Sequence, residues 1–298
     1  MILSILAAII GQVVLLYPQG QSSDQGIVEN GVQITAGPGD VNGLSGFEIV
    51  NPESGNVRNV SDSARMYLYI PRRCNGQMVI ICPGGGYGNL AVQHEGHKVA
   101  KWMNKRGIAA AVLYYRLPNG HHSVPLTDVQ NAFRYCRYHA SEWGVSTIGV
   151  MGFSAGGHLA ASASTLYVDE CTRPDFSVLI YPVISSDERT KHSGTFANLT
   201  GNNPELMEYY SLEKRVTADT PPAFMALSGN DSVRPENSMQ YFRRLRDFGV
   251  SAELYILPQG KHGWGFKDKD KDSLLPEYRA LFYNAMETFF KTLNTKTK

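Results

Sequence analysis

Apolar and polar residues alternate in two distinct patterns along the chain from residue 64 onward. Short apolar runs bounded by glycine, proline or asparagine are typical of buried strands, whereas apolar residues spaced three and four apart are typical of helices. The strands are predicted at Met66–Ile70, Met78–Cys82, Ile108–Tyr115, Thr147–Gly152, Phe176–Tyr181, Ala223–Ser228 and Ala252–Leu257. The helices are predicted at His97–Lys105, Thr127–Trp143, Ala155–Thr165, Pro235–Phe248 and Leu275–Leu293.

The order of these elements predicts an α/β fold class. Strands and helices alternate regularly, which is typical of a mostly parallel central sheet with helices on both faces. The first two strands, Met66–Ile70 and Met78–Cys82, are expected to be neighbours. Residues 185–220 interrupt the alternation and are predicted to form a small cap insertion above the carboxyl ends of the strands, where the ligand sites of such sheets lie. An ordinary surface insertion is the alternative.

The N-terminal residues form a separate apolar segment. Ile2–Leu16 is almost wholly apolar, and at about 15 residues it is shorter than the roughly 20 that span a bilayer as a helix. We predict a signal peptide over residues 1–23, and hence a periplasmic or secreted protein, with a buried first helix as the alternative. Residues 24–63 are rich in turn-forming residues and are predicted to be a leader of loops and edge strands before one domain over residues 64–298.

The charge balance limits the classes of partner. Lys and Arg number 28 and Asp and Glu number 27, so the formal net charge of +1 produces no strong field toward nucleic acid or anionic membranes. We therefore expect no nucleic-acid partner and no stable membrane insertion. No sequence feature indicates an oligomeric state.

Four cysteines are present: Cys74, Cys82, Cys136 and Cys171. They form no C-x-x-C motif that would bind zinc, and no metal or other cofactor is predicted. In an exported protein they allow three disulfide pairings, between which the sequence does not choose. Cys82 and Cys136 lie in apolar patterns and are expected to be buried as small hydrophobic side chains.

A serine between glycines carries the strongest chemical signal. Gly152-Phe153-Ser154-Ala155-Gly156 connects a predicted strand to a predicted helix. At such a turn the serine hydroxyl is exposed, and the glycines leave room where a side chain would clash. This pattern, called a nucleophile elbow, predicts that Ser154 is a catalytic nucleophile. A serine that only caps the helix is the alternative.

Two residues downstream of Ser154 are placed to activate it. A serine hydroxyl is a weak nucleophile at neutral pH and needs a histidine base that is oriented by a carboxylate. Asp231 and His262 each follow a predicted strand, in the chain order that a nucleophile elbow requires. We predict that Ser154, Asp231 and His262 form a catalytic triad. Asp187 and Asp219 are rival acids that fit less well, because neither lies in a turn between a strand and a helix.

A glycine run after the second predicted strand is placed to bind the oxyanion of acyl transfer. The bare backbone of Pro83-Gly84-Gly85-Gly86-Tyr87 lets amide N–H groups approach a substrate. One donor is expected from this loop and one from Ala155, the residue after the nucleophile. We predict an oxyanion hole from Gly85, Gly86 and Ala155, although the pattern does not decide which of Gly84, Gly85 and Gly86 donates.

Three other residues near these motifs have structural interpretations. Glu95 is expected either to brace the glycine run or to face water. His158, inside the helix after Ser154, is expected to pack or cap rather than catalyse. Asp128 is expected to begin its helix.

The ordered motifs resemble those of an α/β-hydrolase esterase. More narrowly they are similar to the bacterial acetylxylan-esterase and feruloyl-esterase-like branch, which is related to hormone-sensitive-lipase-type esterases. The motifs are PGGGY at Pro83–Tyr87, HEG at His94–Gly96, YRL at Tyr115–Leu117, GFSAGGHLA at Gly152–Ala160, NDSV at Asn230–Val233 and KHGWGF at Lys261–Phe266. The resemblance covers about residues 64–290, and it departs from the family pattern at Pro83, where a histidine usually precedes the glycine run.

The resemblance implies a serine esterase that hydrolyses short acyl esters, chiefly acetyl, on carbohydrate such as acetylated xylan. Its partner would be a small-molecule or polysaccharide ester. The alternatives are a feruloyl esterase, a short-chain carboxylesterase, a serine peptidase of the same fold, or a non-catalytic binding module on a hydrolase scaffold. The intact set of Ser154, Asp231 and His262 argues against the binding module.

Overall fold

The computed structural model describes residues 10–15, 42, 44, 47–60, 64–267 and 274–295. The strands are β1 (Ile10–Leu15), β2 (Ile49–Val50), β3 (Val57–Arg58), β4 (Arg65–Tyr69), β5 (Gln77–Cys82), β6 (Ala109–Tyr114), β7 (Thr147–Phe153), β8 (Ser177–Ile180), β9 (Ala223–Ser228) and β10 (Ala252–Leu257). The α-helices are α1 (Lys98–Asn104), α2 (Ser123–His139), α3 (Ala155–Thr165), α4 (Ser193–Thr200), α5 (Pro204–Tyr209), α6 (Glu236–Asp247) and α7 (Pro276–Thr295).

Eight strands form one sheet in the order β1-β4-β6-β5-β7-β8-β9-β10. From β6 to β10 in that order the strands are parallel, whereas β4 is antiparallel to both β6 and β1. Every residue of β5 and β6 is buried, as expected for parallel strands covered by helices. The predicted α/β fold class with a mostly parallel sheet is confirmed.

The predicted adjacency of the first two strands is wrong. β6 lies between β4 and β5 and pairs with both of them. An apolar run identifies a buried strand but contains no information about its partner. The crossover through α1 places β6 beside β5, and β4 then pairs with the outer edge of β6.

Some helix boundaries also differ from the prediction. A turn of π-helix over Gln93–His97 precedes α1. The α2 helix begins at Ser123 and ends at His139. It can begin before Pro125, because proline is tolerated in a first turn, whose N–H groups have no helical acceptor. Asp128 therefore lies inside α2 and does not begin it.

The insertion between β8 and β9 is more regular than predicted. It contains α4, α5 and a 3₁₀ turn at Leu212–Lys214. The side chains of His192 and Asn203 accept hydrogen bonds from N–H groups in the first turns of α4 and α5. These caps help to stabilise helices that are too short to persist on their intrinsic propensity.

Part of the N-terminal segment belongs to the sheet. β1, inside the apolar run that is assigned to a signal peptide, pairs with β4, so this part is a strand and not the alternative first helix. β2 and β3 form an antiparallel pair within the predicted leader. The rest of residues 1–23, and residues 24–41, lie outside the described residues, and the signal peptide stays a prediction. Within the described ranges, no helix is long and apolar enough to cross a membrane.

The four cysteines are free thiols in the structure. Cys82 and Cys136 are buried, as their apolar sequence patterns indicate, and burial raises the pKa of both thiols. Cys74 is half-buried and Cys171 is exposed.

A buried ion pair joins the loop after β6 to α2. The guanidinium Nη2 of Arg116 lies 2.6 Å from Oδ1 of Asp128, and the backbone N–H of Arg116 donates to Oδ2 at 2.8 Å. Their side chains are only 3% and 2% exposed. Each charge has left water, so the pair depends on keeping both partners.

Loss of the Asp128 carboxylate is expected to be strongly destabilising. We expect Asp128→Ala to lower the free energy of unfolding by about 3–5 kcal/mol, because it leaves the Arg116 guanidinium buried without its carboxylate. Glu208→Ala is the matched control: it removes an exposed ion pair with Lys214, and exposed pairs contribute about 0–1 kcal/mol. Urea unfolding of both variants measures the difference, and equal effects would contradict this account of the pair.

Candidate active site

Ser154 occupies a strained turn between β7 and α3. Its backbone has φ 54° and ψ −120°, a conformation that residues other than glycine rarely adopt. A Cβ at Gly152 would overlap the carbonyl oxygen of Gly156, and one at Gly156 would overlap the carbonyl oxygens of Cys82 and Pro83. The two glycines are therefore required by the close approach of α3 to β7 and β5.

The structure brings together Ser154, His262 and Asp231. The distance from His262 Nε2 to Ser154 Oγ is 2.8 Å, and that from His262 Nδ1 to Asp231 Oδ1 is 2.7 Å. The Asp231 side chain is fully buried, whereas that of His262 is 25% exposed. An ionised carboxylate only accepts hydrogen bonds, so Nδ1–H of His262 donates to Asp231 and Nε2 is left to accept the proton of the serine hydroxyl.

The surrounding turns hold the acid and the base in place. Asp231 follows β9, and its Oδ1 also accepts a hydrogen bond from the N–H of Val233 at 2.7 Å. His262 follows β10, and the N–H of the preceding Lys261 donates to the side chain of Asn230 at 3.0 Å. Of the rival acids, Asp187 pairs with Arg189 outside this group, and Asp219 is exposed.

The glycine run has one N–H group that donates a hydrogen bond and two that have no acceptor among the described residues. Gly84 N–H donates to Oε2 of Glu95 at 2.8 Å. Gly85 and Gly86 have φ of 130° and 64°, and among the described residues no group accepts a hydrogen bond from either N–H. Ala155 is the first residue of α3, where backbone N–H groups have no helical acceptor. The geometry therefore leaves Gly85, Gly86 and Ala155 as candidate oxyanion donors and engages Gly84.

Glu95 braces the glycine run instead of facing water. Its carboxylate is buried, and Oε1 accepts the hydroxyl of Tyr181 at 2.8 Å while Oε2 accepts Gly84 N–H. The Tyr181 ring packs edge-on against the His262 imidazole, with ring centroids 4.9 Å apart. Glu95 thus connects the glycine run to a side chain that contacts the histidine.

His158 is a packed residue that anchors the same loop. Its Nε2 lies 3.0 Å from the carbonyl oxygen of Tyr210, which can only accept, so Nε2 carries the proton. Nδ1 then accepts the hydroxyl of Tyr87, the residue after the glycine run, at 3.0 Å. Burial lowers the pKa of His158 to about 4, so the ring is neutral near pH 7.

Sequence patterns do not reveal several residues that surround the site. Tyr181 has φ 39° at the end of β8, and only its position directly after a strand could have indicated it. Asn198 of α4 donates from Nδ2 to the carbonyl oxygen of Gly86 at 2.8 Å. The Phe196 ring packs edge-on against His158, with centroids 5.6 Å apart. No local pattern marks contacts between residues this far apart in the chain.

The arrangement suits acyl transfer to a serine hydroxyl. It contains a nucleophile, a base within hydrogen-bond distance, a buried carboxylate that orients the base, and backbone N–H groups nearby. Within the described part of the chain, no three histidine, cysteine, aspartate or glutamate side chains are grouped as a metal site would require.

Comparisons with known proteins extend over most of the chain. Residues 79–266 match the model of a family described as alpha/beta hydrolase fold. An acetylxylan esterase of Xylanibacter ruminicola is 41% identical over 219 residues, which are 70% of this chain and 45% of that protein. The endo-1,4-beta-xylanase B of Butyrivibrio fibrisolvens is 36% identical over 204 residues, which are 62% of this chain and 32% of that protein. The chain thus spans less than half the length of these two relatives.

A solved structure is similar over nearly its whole length. It is an acetyl ester-xyloside bifunctional hydrolase from Caldicellulosiruptor lactoaceticus, with a TM-score of 0.73 and 32% sequence identity. The match covers 95% of this chain and 97% of that one.

The buried imidazole of His158 predicts a loss of stability in acid. Its pKa is about 4 in the folded protein and about 6.5 when unfolded, so the unfolded chain binds more protons in this window. The contribution is fully present above about pH 6.5 and declines as the pH falls toward about 4, by up to about 3 kcal/mol.

Urea unfolding of the wild type and His158→Gln between pH 7 and pH 4.5 measures this contribution. As the pH falls, the free energy of unfolding of the wild type should decrease more than that of His158→Gln. Burial also lowers the pKa of His97, but His97 is present in both proteins and so does not contribute to the difference between them. His121→Gln, at an exposed position, is the control, and a difference that does not change with pH would contradict a neutral buried His158.

Proposed function

The chain belongs to the alpha/beta hydrolase fold family, and from this premise we infer that it is a serine esterase acting on short acyl esters, chiefly acetyl esters, of carbohydrates. The observation that carries the inference is the hydrogen-bonded series from Ser154 through His262 to Asp231. A binding module has no need for a serine in a strained turn at 2.8 Å from a histidine. Strained backbone persists where the surrounding structure holds it, commonly at active sites.

In this proposal the reaction proceeds through an acyl-enzyme. His262 Nε2 takes the proton of Ser154 as Oγ attacks the ester carbonyl, and Asp231 stabilises the resulting imidazolium. N–H groups of Gly85, Gly86 and Ala155 are the proposed donors to the oxyanion. The tetrahedral intermediate collapses, the ester C–O bond breaks, and His262 returns the proton to the leaving alcohol. Water then attacks the acyl-enzyme by the same steps and releases the carboxylic acid.

The substrate class rests on the relatives. An acetylxylan esterase, a xylanase and an acetyl ester-xyloside hydrolase are similar to this chain. An acetyl group on a xylan-type carbohydrate is therefore the proposed substrate, with feruloyl or general short-chain esters as the alternative. The chemistry of this triad requires no cofactor in this proposal.

Export is the second part of the proposal. The apolar run Ile2–Leu16 supports a signal peptide over residues 1–23. Export would bring the protein into contact with polysaccharide outside the cell. Removal of this segment would take β1 with it and leave β4 as the edge of the sheet.

Acetate release from acetylated xylan tests the activity. We expect wild-type protein to release acetate, and Ser154→Ala to lower the rate by about 10⁴-fold or more, because the nucleophile and base act as a unit. Ser141→Ala, an exposed serine, is the matched control and should retain the wild-type rate. Phenyl acetate and methyl ferulate are measured alongside. Faster turnover of methyl ferulate would favour the feruloyl alternative. Absence of serine-dependent hydrolysis with all three esters would contradict the proposal that the protein is a serine esterase.

Mass spectrometry of the protein exported by a bacterial host tests the N-terminal proposal. The expected mature chain begins near residue 24. Export of a chain that retains residues 1–23, or complete retention in the cytoplasm, would contradict cleavage of a signal peptide.

A further inference from the structure

The two N–H groups of the glycine run that are proposed as oxyanion donors are oriented through the carbonyl groups of their own peptides. A peptide unit is planar and trans, so its C=O and N–H bonds point in opposite directions. The N–H of Gly85 therefore points away from the groups that bind the carbonyl oxygen of Gly84. In the same way, the N–H of Gly86 points away from the groups that bind the carbonyl oxygen of Gly85.

One short segment of the chain binds both of these carbonyl oxygens. The N–H of Ala91 donates to the Gly84 oxygen at 2.9 Å. The N–H groups of Gly88 and Asn89 donate to the Gly85 oxygen, at 3.0 Å and 3.2 Å. Both free N–H groups of the glycine run therefore point away from this segment.

The side chain of Asn89 adds a third donor to the Gly85 oxygen. Its Nδ2 lies 3.1 Å from that oxygen, and because a carbonyl oxygen only accepts, it is the amide nitrogen that faces it. The amide oxygen Oδ1 is buried and has no donor among the described residues. Burial of an amide oxygen without a donor lowers stability, so this side chain is better explained by what it does to the glycine run than by a gain in folding free energy.

The glycine run lies directly beside the nucleophile. A Cβ at Gly84 would lie 2.9 Å from the Cβ of Ser154. A Cβ at Gly85 would overlap the carbonyl oxygen of Asn89 at 2.1 Å, and the φ of Gly85 is 130°, so the contact with Asn89 requires glycine here. The N–H of Gly86 is directed away from Asn89 and has no acceptor among the described residues, which leaves it available to a substrate oxygen.

We propose that Asn89 is a positioning residue of the oxyanion hole, whose Nδ2 donor holds the peptide between Gly85 and Gly86 so that the Gly86 N–H is directed at the oxyanion. The inference rests on the proposed function and adds a residue to its machinery. Donors that are already oriented stabilise the developing charge without having to turn during the reaction. Loss of the Asn89 donor lets this peptide rotate, which weakens binding of the transition state more than binding of the nearly uncharged ground state.

The first test is the hydrolysis of phenyl acetate by Asn89→Ala. We expect kcat to fall about tenfold to a hundredfold, less than the roughly 10²–10³-fold cost of losing an oxyanion donor outright. Because an oxyanion forms in both acylation and deacylation, both steps slow, and KM should stay within about twofold of wild type. The pH profile of kcat/KM should keep its wild-type midpoint, since His262 is unchanged.

Asn51→Ala is the matched control. This exposed asparagine also holds a turn, by accepting the backbone N–H groups of Glu53 and Ser54, and its loss should leave kcat at the wild-type value. Urea unfolding of each variant verifies that the protein is folded under the assay conditions.

Inhibition by phenyl trifluoromethyl ketone is a readout that a merely structural role would not change. Ser154 Oγ adds to the ketone carbon, its proton passes to His262, and the carbonyl oxygen becomes an oxyanion. Asn89→Ala should raise the inhibition constant by the same factor by which it lowers kcat/KM for phenyl acetate, because both quantities report binding of the oxyanion.

Asn89→Asp separates the lost donor from the lost volume. Aspartate has nearly the size of asparagine, but its carboxylate offers no donor to the Gly85 oxygen. We expect this variant to be at least as impaired as Asn89→Ala at neutral pH. A wild-type rate in Asn89→Asp would show that the space left by alanine causes the loss, and it would overturn the proposal.

Three other outcomes would also overturn it. They are an unchanged kcat in Asn89→Ala, a fall in kcat without a rise in the inhibition constant of the ketone, and a displaced pH midpoint that accounts for the whole fall. These outcomes require a wild type whose hydrolysis of phenyl acetate is abolished by Ser154→Ala. Absence of such serine-dependent hydrolysis in the wild type would instead overturn the proposed function, and this inference with it.

Discussion

The site depends on one backbone constraint: the chain must pass from β7 into α3 within a single residue. Ser154 meets this constraint with a positive φ, which is unfavourable for any residue with a side chain. The surrounding structure holds it there, because Ser154 N–H donates to the carbonyl of Ile180 and its own carbonyl accepts the N–H of Val183. Gly152 and Gly156 let the helix approach closely enough for this. The serine hydroxyl is thus held at the carboxyl end of the sheet by backbone contacts on both sides.

Buried polar side chains extend that rigidity to the neighbouring loops. A carboxylate has only acceptors, and Glu95 uses both oxygens on donors from different segments, Gly84 of the glycine run and Tyr181 after β8. A neutral histidine has one donor and one acceptor, and His158 uses them on Tyr210 and Tyr87. Because these groups are buried, an unmatched partner would be costly, and each network therefore favours one arrangement of its loops.

The sequence predicts the elements of the fold better than their pairing. Family membership and the parallel sheet are confirmed, since apolar periodicity and motifs at strand ends are local properties of the chain. The same local motifs place Ser154, Asp231 and His262 at the ends of parallel strands, and the structure brings these three residues within hydrogen-bond distance of one another in series. The position of β6 between β4 and β5, and the contact of Asn198 with Gly86, join segments distant in the chain. No local pattern contains that information.

The groups proposed to carry out the chemistry and the segment that packs over them come from different parts of the fold. The groups proposed to transfer the acyl chain follow β5, β7, β9 and β10, whose register is fixed by hydrogen bonds within the sheet. The groups over the site belong to the insertion between β8 and β9, which is held by caps, by the hydrogen bond from Asn198 and by packing of Phe196. Changes in such an insertion cost little in folding free energy compared with changes at the strained turn. Substitutions in α4 are therefore less constrained than substitutions in the turn around Ser154.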